Sequence, residues 1–153
     1  MFPNRSNIQP LDNGASAQPT KSFRKPRILV AEDSADSREM MCTLLKMKGY
    51  EVCEAGDGVA AVEVALRIMP DLIFVDLQIP KLDGLGVARE LRLYPKLKQT
   101  PIVILSGYDP SRYRQAALEA GCNDYLVKPI DFDRLENLLN ATVPPRYRAA
   151  ARA

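Results

Sequence analysis

Leu72-Ile73-Phe74-Val75-Asp76 is a run of four apolar residues that ends on a carboxylate. Three further runs have the same shape. Arg27-Ile-Leu-Val-Ala31 ends on Glu32-Asp33, Ile102-Val-Ile-Leu105 ends on Ser106, and Tyr125-Leu-Val127 ends on Lys128. Short, continuously apolar runs of this kind read as parallel strands covered on both faces. If the four are neighbours in one sheet, their C-terminal ends meet at one edge. That edge then gathers three carboxylates, a hydroxyl and an ammonium. In open parallel sheets, ligands bind beyond the carboxyl ends of the strands.

Helical patterns alternate with these runs. The first helix follows Asp33-Ser34, places Met40, Met41, Leu44 and Leu45 on one face, and stops at Gly49. The second follows Gly56-Asp57-Gly58, with Val62, Ala65, Leu66 and Met69 inward and Pro70 closing it. The third is capped by Asp83 and turns Leu85, Ala88 and Leu91 inward. The fourth opens on Asp109-Pro110 and ends at Gly121, and the fifth opens on Asp131 with Leu135, Leu138 and Leu139 inward. Glu51-Val-Cys-Glu-Ala55 alternates polar and apolar, which suits an edge strand. Five β-α units in this span imply a three-layer α/β sandwich with right-handed crossovers.

The rest of the chain narrows the function. At 153 residues it suits one domain with ends to spare. Residues 1–25 are rich in Pro, Asn, Ser and Gln and read as a disordered arm. Residues 26–141 form the folded unit, and residues 142–153, broken by Pro144-Pro145, read as a tail or the start of a linker. No apolar stretch is long enough to span a bilayer or to act as a signal-peptide core, so a cytoplasmic chain without membrane insertion is expected. Cys42, Cys53 and Cys122 are scattered and read as free thiols. The formal charge of +2 hides an acidic body. Both ends are basic, leaving about −4 on residues 26–141, which makes a poor nucleic-acid platform. There is no histidine, which excludes a Ser-His-Asp triad, a Cys-His pair and histidine metal ligands.

Taken singly, each strand-end residue has an ordinary structural reading: Asp76 as a turn residue, Glu32-Asp33 as a helix cap, Ser106-Gly107 as a turn, Lys128-Pro129 as a strand exit. Their joint placement is what carries weight. Three crowded carboxylates repel, and Lys128 supplies only one compensating charge. A hard divalent ion fits the remainder, and Mg2+ accepts one or two carboxylates while keeping waters for a phosphate. A carboxylate beside such a site can act as a nucleophile and form an acyl phosphate.

Glu32-Asp33, Asp76 with Pro80 and Gly84 behind it, Ser106-Gly107 and Lys128-Pro129 together resemble the receiver domain of two-component response regulators. The resemblance covers about Lys25 to Ala141. It implies a flavodoxin-like (βα)5 fold with a five-stranded parallel sheet in the order 2-1-3-4-5. It implies that Asp76 is the phosphoacceptor, and that Asp33, Glu32, Asp76 and the backbone carbonyl of Gln78 hold Mg2+. Lys128 would pair with the phosphoryl oxygens across a Lys128-Pro129 bond that is typically cis. Ser106 would hydrogen-bond the attached phosphoryl group, and Tyr125 matches the aromatic switch position that turns inward with it. The implied partners are a histidine kinase or histidine phosphotransfer protein and an unknown downstream protein. The only catalysis implied is the domain's own phosphorylation and slow autodephosphorylation.

The family often carries Met at position 78 and Thr at position 106; here they are Gln78 and Ser106. Residues 78 and 108 flank the water path in this family, so Gln78 and Tyr108 are expected to set the lifetime of phospho-Asp76. The eight residues after Pro145 cannot hold a helix-turn-helix, so a stand-alone receiver is expected. The competing readings are a receiver excised from a hybrid kinase or DNA-binding regulator, and a binding-only receiver. A phosphatase with an aspartate nucleophile would need a second acid where Gln78 stands. A flavin or dinucleotide carrier would need a Gly- or Ser/Thr-rich loop where Glu32-Asp33 stands. The surface group Arg112, Tyr113 and Arg114 is expected to be a solvated helix face.

Overall fold

The apolar runs form five strands: β1 (Arg27–Ala31), β2 (Glu51–Ala55), β3 (Leu72–Asp76), β4 (Ile102–Ser106) and β5 (Asp124–Val127). Five helices alternate with them: α1 (Ala35–Met47), α2 (Gly58–Ile68), α3 (Gly84–Leu91), α4 (Pro110–Ala120) and α5 (Phe132–Thr142). The computed structural model describes residues 24–144. The expected arm and tail therefore lie, apart from a few residues at their inner ends, outside the described residues.

All strand pairs are parallel and the order is β2-β1-β3-β4-β5, as the resemblance implies. Successive side chains on each strand feed opposite faces. Leu29, Ala31, Ile73, Val75, Ile102, Ile104 and Tyr125 pack on one side beneath α2, α3 and α4. Ile28, Val30, Leu72, Phe74, Val103, Leu105 and Leu126 pack on the other with α1 and α5. Strands β3 and β4 are buried along their whole length, which explains their unbroken apolar sequence. β2 lies at the edge, and its polar residues Glu51 and Glu54 are exposed.

The register sets the functional edge. Ala31 pairs with Ala55 and Val75, Asp76 with Leu105, and Ser106 with Val127. Glu32 and Lys128 each follow one residue beyond these last pairs, so all the strand-end residues reach the same rim.

Helix ends follow the capping residues. Ser34, Asp57, Asp83, Asp109 and Asp131 each accept a backbone N–H at a helix start. Gly121 closes α4 with φ 101°. Two helix faces differ from the expected ones. In α1 the buried stripe is Met41, Cys42 and Leu45, while Met40 is 63% exposed. In α2 it is Gly58, Ala61 and Ala65, while Leu66 stands at 36%. Large residues at helical spacing fit two adjacent stripes equally well. In α2 the small ones win because they permit closer packing. A Cβ on Gly58 would lie 1.8 Å from the Leu82 carbonyl oxygen.

Leu135 is fully buried and Leu118 is 52% exposed. Leu135→Ala is expected to cost about 2–5 kcal/mol, and Leu118→Ala no more than about 0.5 kcal/mol, measured by urea unfolding. Burial pushes the thiols of Cys42 and Cys122 up to about 11, whereas Cys53 on the edge strand is only half-buried. In native protein at neutral pH, peptide mapping after brief alkylation should find Cys53 modified first and the other two protected until unfolding.

Candidate functional site

Three loops converge at the C-terminal rim of the sheet. The β1–α1 loop brings Glu32 and Asp33, the end of β3 brings Asp76, and the residue after β5 is Lys128. Side-chain oxygens of Glu32, Asp33 and Asp76 all lie within 4.8 Å of one another. Glu32 and Asp76 are buried and Asp33 is exposed.

Lys128 joins the two buried acids. Its Nζ donates to Glu32 Oε2 at 2.7 Å and to Asp76 Oδ2 at 2.5 Å. The other Asp76 oxygen, Oδ1, accepts the Gln78 backbone N–H at 2.9 Å. Burial pushes the Glu32 carboxyl above its ordinary value; the Lys128 hydrogen bond opposes this and the neighbouring Asp76 adds to it. Burial alone would lower the Lys128 ammonium, but its bonds to Asp76 and Glu32 outweigh that and raise it. Lys128 therefore stays charged. The Lys128-Pro129 bond is cis.

One ammonium faces three carboxylates, and the Asp33 carboxylate has no ion-pair partner among the described residues. The donors are hard oxygens with spare negative charge. That donor chemistry fits Mg2+ and suits neither zinc nor a soft metal.

A glycine sets the depth of Asp76. A Cβ on Gly84 would lie 2.7 Å from the Asp76 backbone oxygen, so the start of α3 can pack against the strand end only without a side chain there. Asp83 Oδ1 accepts the Gly86 N–H at 2.8 Å and fixes that helix start.

The second half of the site centres on Tyr108. Its N–H donates to Ser106 Oγ at 3.0 Å, its carbonyl accepts the Tyr125 hydroxyl at 3.3 Å, and its own hydroxyl accepts from Gln78 Nε2 at 2.9 Å. Tyr125 is buried against the core, so the aromatic ring at the expected switch position lies inward here. The Arg112 guanidinium sits 5.7 Å from the Tyr108 ring centre and 5.5 Å from that of Tyr113. Arg112 and Arg114 are exposed, as expected of a solvated face, and Arg112 and the half-buried Tyr113 also pack onto Tyr108.

The structure brings Glu32, Asp33, Asp76 and Lys128 into one cluster, and Ser106, Tyr108, Gln78 and Tyr125 into an adjoining chain of hydrogen bonds. Sequence reasoning missed that Gln78 and Tyr108 hold each other, because their 30-residue separation spans a whole β-α unit. It also missed Arg38, whose Nη1 donates to the Glu32 carbonyl at 2.6 Å. A basic residue one turn into the helix behind an acid pair was the available signal. Beside the cluster, a cavity of about 580 Å³ opens between α1 and the start of α5. It runs from Glu32 and Lys128 to Met40, Leu44, Ile130 and Phe132.

These features are those of a phosphoacceptor signalling fold. The response regulator receiver domain model matches residues 28–140, and the chain belongs to that family. A probable transcriptional regulator, ycf27, from Porphyridium aerugineum is 41% identical over 114 residues, covering 74% of this chain and 46% of its own length. The chain thus spans about half the length of the curated relatives it matches. Among solved structures, the receiver domain of the sensor histidine kinase PA1611 from Pseudomonas aeruginosa is 33% identical, with a TM-score of 0.72 over 78% of this chain and 98% of that one. That structure has a magnesium ion in its active-site cleft. The receiver domain of Ssk1 from Saccharomyces cerevisiae, solved with the histidine phosphotransfer protein Ypd1, is 28% identical, with a TM-score of 0.72 over 78% of this chain and 90% of that one.

Charge crowding yields a test that needs no phosphodonor. Asp33→Asn removes one of three repelling charges and breaks no hydrogen bond. In metal-free, low-salt buffer it should raise the melting midpoint by roughly 3 °C. Added Mg2+ should raise the midpoint of the wild-type protein and leave that of the variant nearly unchanged, by calorimetry.

Proposed function

We propose that this receiver takes a phosphoryl group onto Asp76 from a phosphohistidine of another protein, with Mg2+ bound, and thereby switches a protein-binding surface. The observation that carries this reading is the convergence of Glu32, Asp33 and Asp76 around a single ammonium, Lys128. The absence of histidine from the chain supports a donor in trans.

In this reading Asp33, Glu32, Asp76 and the Gln78 backbone carbonyl hold the metal. When bound, the ion supplies charge neutralisation to the phosphoryl oxygens. An Asp76 carboxylate oxygen attacks phosphorus as the donor's P–N bond breaks, and that electron pair leaves with the imidazole. Lys128, already within reach of Asp76, pairs with a phosphoryl oxygen. Ser106 gives up its bond from the Tyr108 N–H and donates its hydroxyl to another phosphoryl oxygen. Tyr125, tied to the same Tyr108 backbone, carries the change toward α4, β5 and α5 as a population shift. The domain acts on itself alone, through its own phosphorylation and slow autodephosphorylation.

The apolar cavity beside Glu32 and Lys128 favours a protein donor, a histidine kinase or phosphotransfer protein, over a small one. No helix among the described residues is long and apolar enough to cross a membrane. A cytoplasmic location is part of the proposal and goes with a phosphohistidine donor. The described body is acidic, so its immediate target is proposed to be protein. Relatives named as transcriptional regulators have about twice the matched length, which supports a second reading. In that reading this is the input half of such a regulator.

Incubation with Mg2+ and acetyl phosphate, or with a phosphorylated histidine partner, should add one phosphoryl group by intact-protein mass spectrometry. Asp76→Asn should abolish the gain, and no gain with any donor would leave a binding-only receiver. The Gln78–Tyr108 bridge is proposed to shield the acyl phosphate from water. Replacing both residues with alanine should speed dephosphorylation by roughly tenfold, about 1.4 kcal/mol in barrier; an unchanged rate would remove them from lifetime control.

A further inference from the structure

We propose that Arg38 is a positioning residue for the acidic pair Glu32-Asp33, holding the β1–α1 loop in the geometry that binds a divalent cation. The inference rests on the proposed Mg2+ site and assigns it a residue that is not a ligand. β1 pairs with β2 up to Ala31 opposite Ala55, and the Glu32 N–H adds one more bond, to the Ala55 carbonyl at 3.0 Å. There β2 stops. The Glu32 carbonyl lies past the regular ladder, where the chain must turn sharply into α1 while presenting two adjacent like charges.

Arg38 reaches back from α1 to that point. Its Nη1 donates to the Glu32 carbonyl at 2.6 Å and its Nε pairs with Glu54 at 3.0 Å. The same Nη1 is the nearest atom to the position a Cβ on Gly56 would take, at 3.6 Å. The guanidinium therefore sits beside Gly56, just past the end of β2, and bridges the ends of β1 and β2. Its side chain is 22% exposed while that of Glu54 is 47% exposed. The carbonyl contact is the sheltered one, and the ion pair is screened by solvent. The planar fork serves both acceptors from one fixed orientation.

The Arg38 side chain contacts the backbone of Glu32 and leaves its carboxylate free. Its guanidinium is engaged by the Glu32 carbonyl and by Glu54, so it fixes the loop through the main chain and not through the acidic side chains of the cluster. Partners that orient metal ligands typically cost 10–100-fold in affinity when lost.

The test is a Mg2+ titration of the full chain followed by NMR amide shifts, with the melting midpoint recorded in parallel. The wild-type titration checks the site itself: if no saturable shifts appear, the metal reading fails and this inference falls with it. Given wild-type binding, Arg38→Ala should weaken Mg2+ affinity by roughly tenfold, while acetyl phosphate labelling recovers at saturating Mg2+. Glu54→Ala should stay within about twofold of wild type, because it spares the carbonyl contact. Arg38→Lys, a single point donor, should fall between wild type and Arg38→Ala, and it is the deciding variant should alanine not fold. Wild-type affinity in folded Arg38→Ala, or in Arg38→Lys where alanine does not fold, overturns the proposal. So does a loss in Glu54→Ala as large as that in Arg38→Ala, since the edge ion pair would then account for it.

Discussion

Lys128 is the constraint on which the rest of the rim depends. Two buried carboxylates on different strands, Glu32 and Asp76, share its ammonium. A carboxylate pair at this depth without a cation would hold a proton, since burial and mutual repulsion both oppose ionisation. The ammonium must therefore arrive at the same depth as both acids, and a parallel sheet supplies that. β1, β3 and β5 all end on one side, and register places Lys128 one residue beyond Val127 as Glu32 is one beyond Ala31. The compensation is incomplete, because Asp33 adds a third carboxylate within 4.8 Å. A remainder of negative charge is what makes the site receptive to a cation.

Holding that remainder together falls on groups outside the acidic cluster. Gly84 lets the start of α3 close on the Asp76 carbonyl, and Asp83 caps the helix that does so. The Gln78 N–H takes one Asp76 oxygen and leaves the other to Lys128. Arg38 binds the backbone of Glu32. Each contact is made to the main chain, or by the main chain to a carboxylate. The rim is thus stiff in its backbone while keeping carboxylate oxygens such as those of Asp33 available. Repulsion among the carboxylates is tolerated because it is opposed by packing and backbone hydrogen bonds distributed over three loops.

Much of this was legible in the sequence. Strand identity followed from continuous apolar runs, and the helix starts followed from Ser34, Asp57, Asp83, Asp109 and Asp131. The acid, hydroxyl and lysine positions were legible because each ends a run whose face is forced by burial. Which stripe of α1 or α2 turns inward was less legible. Met40 and Leu66 satisfy helical periodicity as well as their neighbours do, and in α2 the close approach of Ala61 and Ala65 to the sheet decides it. The contacts of Arg38 and of Gln78 with Tyr108 were not legible at all. Local signals named the residues, a basic residue one turn into α1 and two positions flanking the site, but which atoms meet depends on side-chain reach set by tertiary geometry.

Tyr108 shows why such contacts matter more than their individual strength. Its three polar groups each serve a different site residue: N–H to Ser106, carbonyl to Tyr125, hydroxyl to Gln78. A neutral hydrogen bond contributes only about 1 kcal/mol net, so none of the three would fix the loop alone. Joined through one residue they cannot change independently. In the proposed mechanism Ser106 exchanges its bond from the Tyr108 N–H for one to a phosphoryl oxygen. The residue that loses this bond also carries the carbonyl that accepts from Tyr125 and the hydroxyl that accepts from Gln78. In that proposal an event at the Asp76 carboxylate would reach both the buried ring beneath α4 and the cover over the site, through the displacement of a single backbone segment. The packing of Arg112 and Tyr113 on the Tyr108 ring extends that segment's influence onto the outer face of α4. A partner bound on that face would act on the same segment from outside. The coupling would then run in both directions, as linkage requires of any two events that bias one equilibrium.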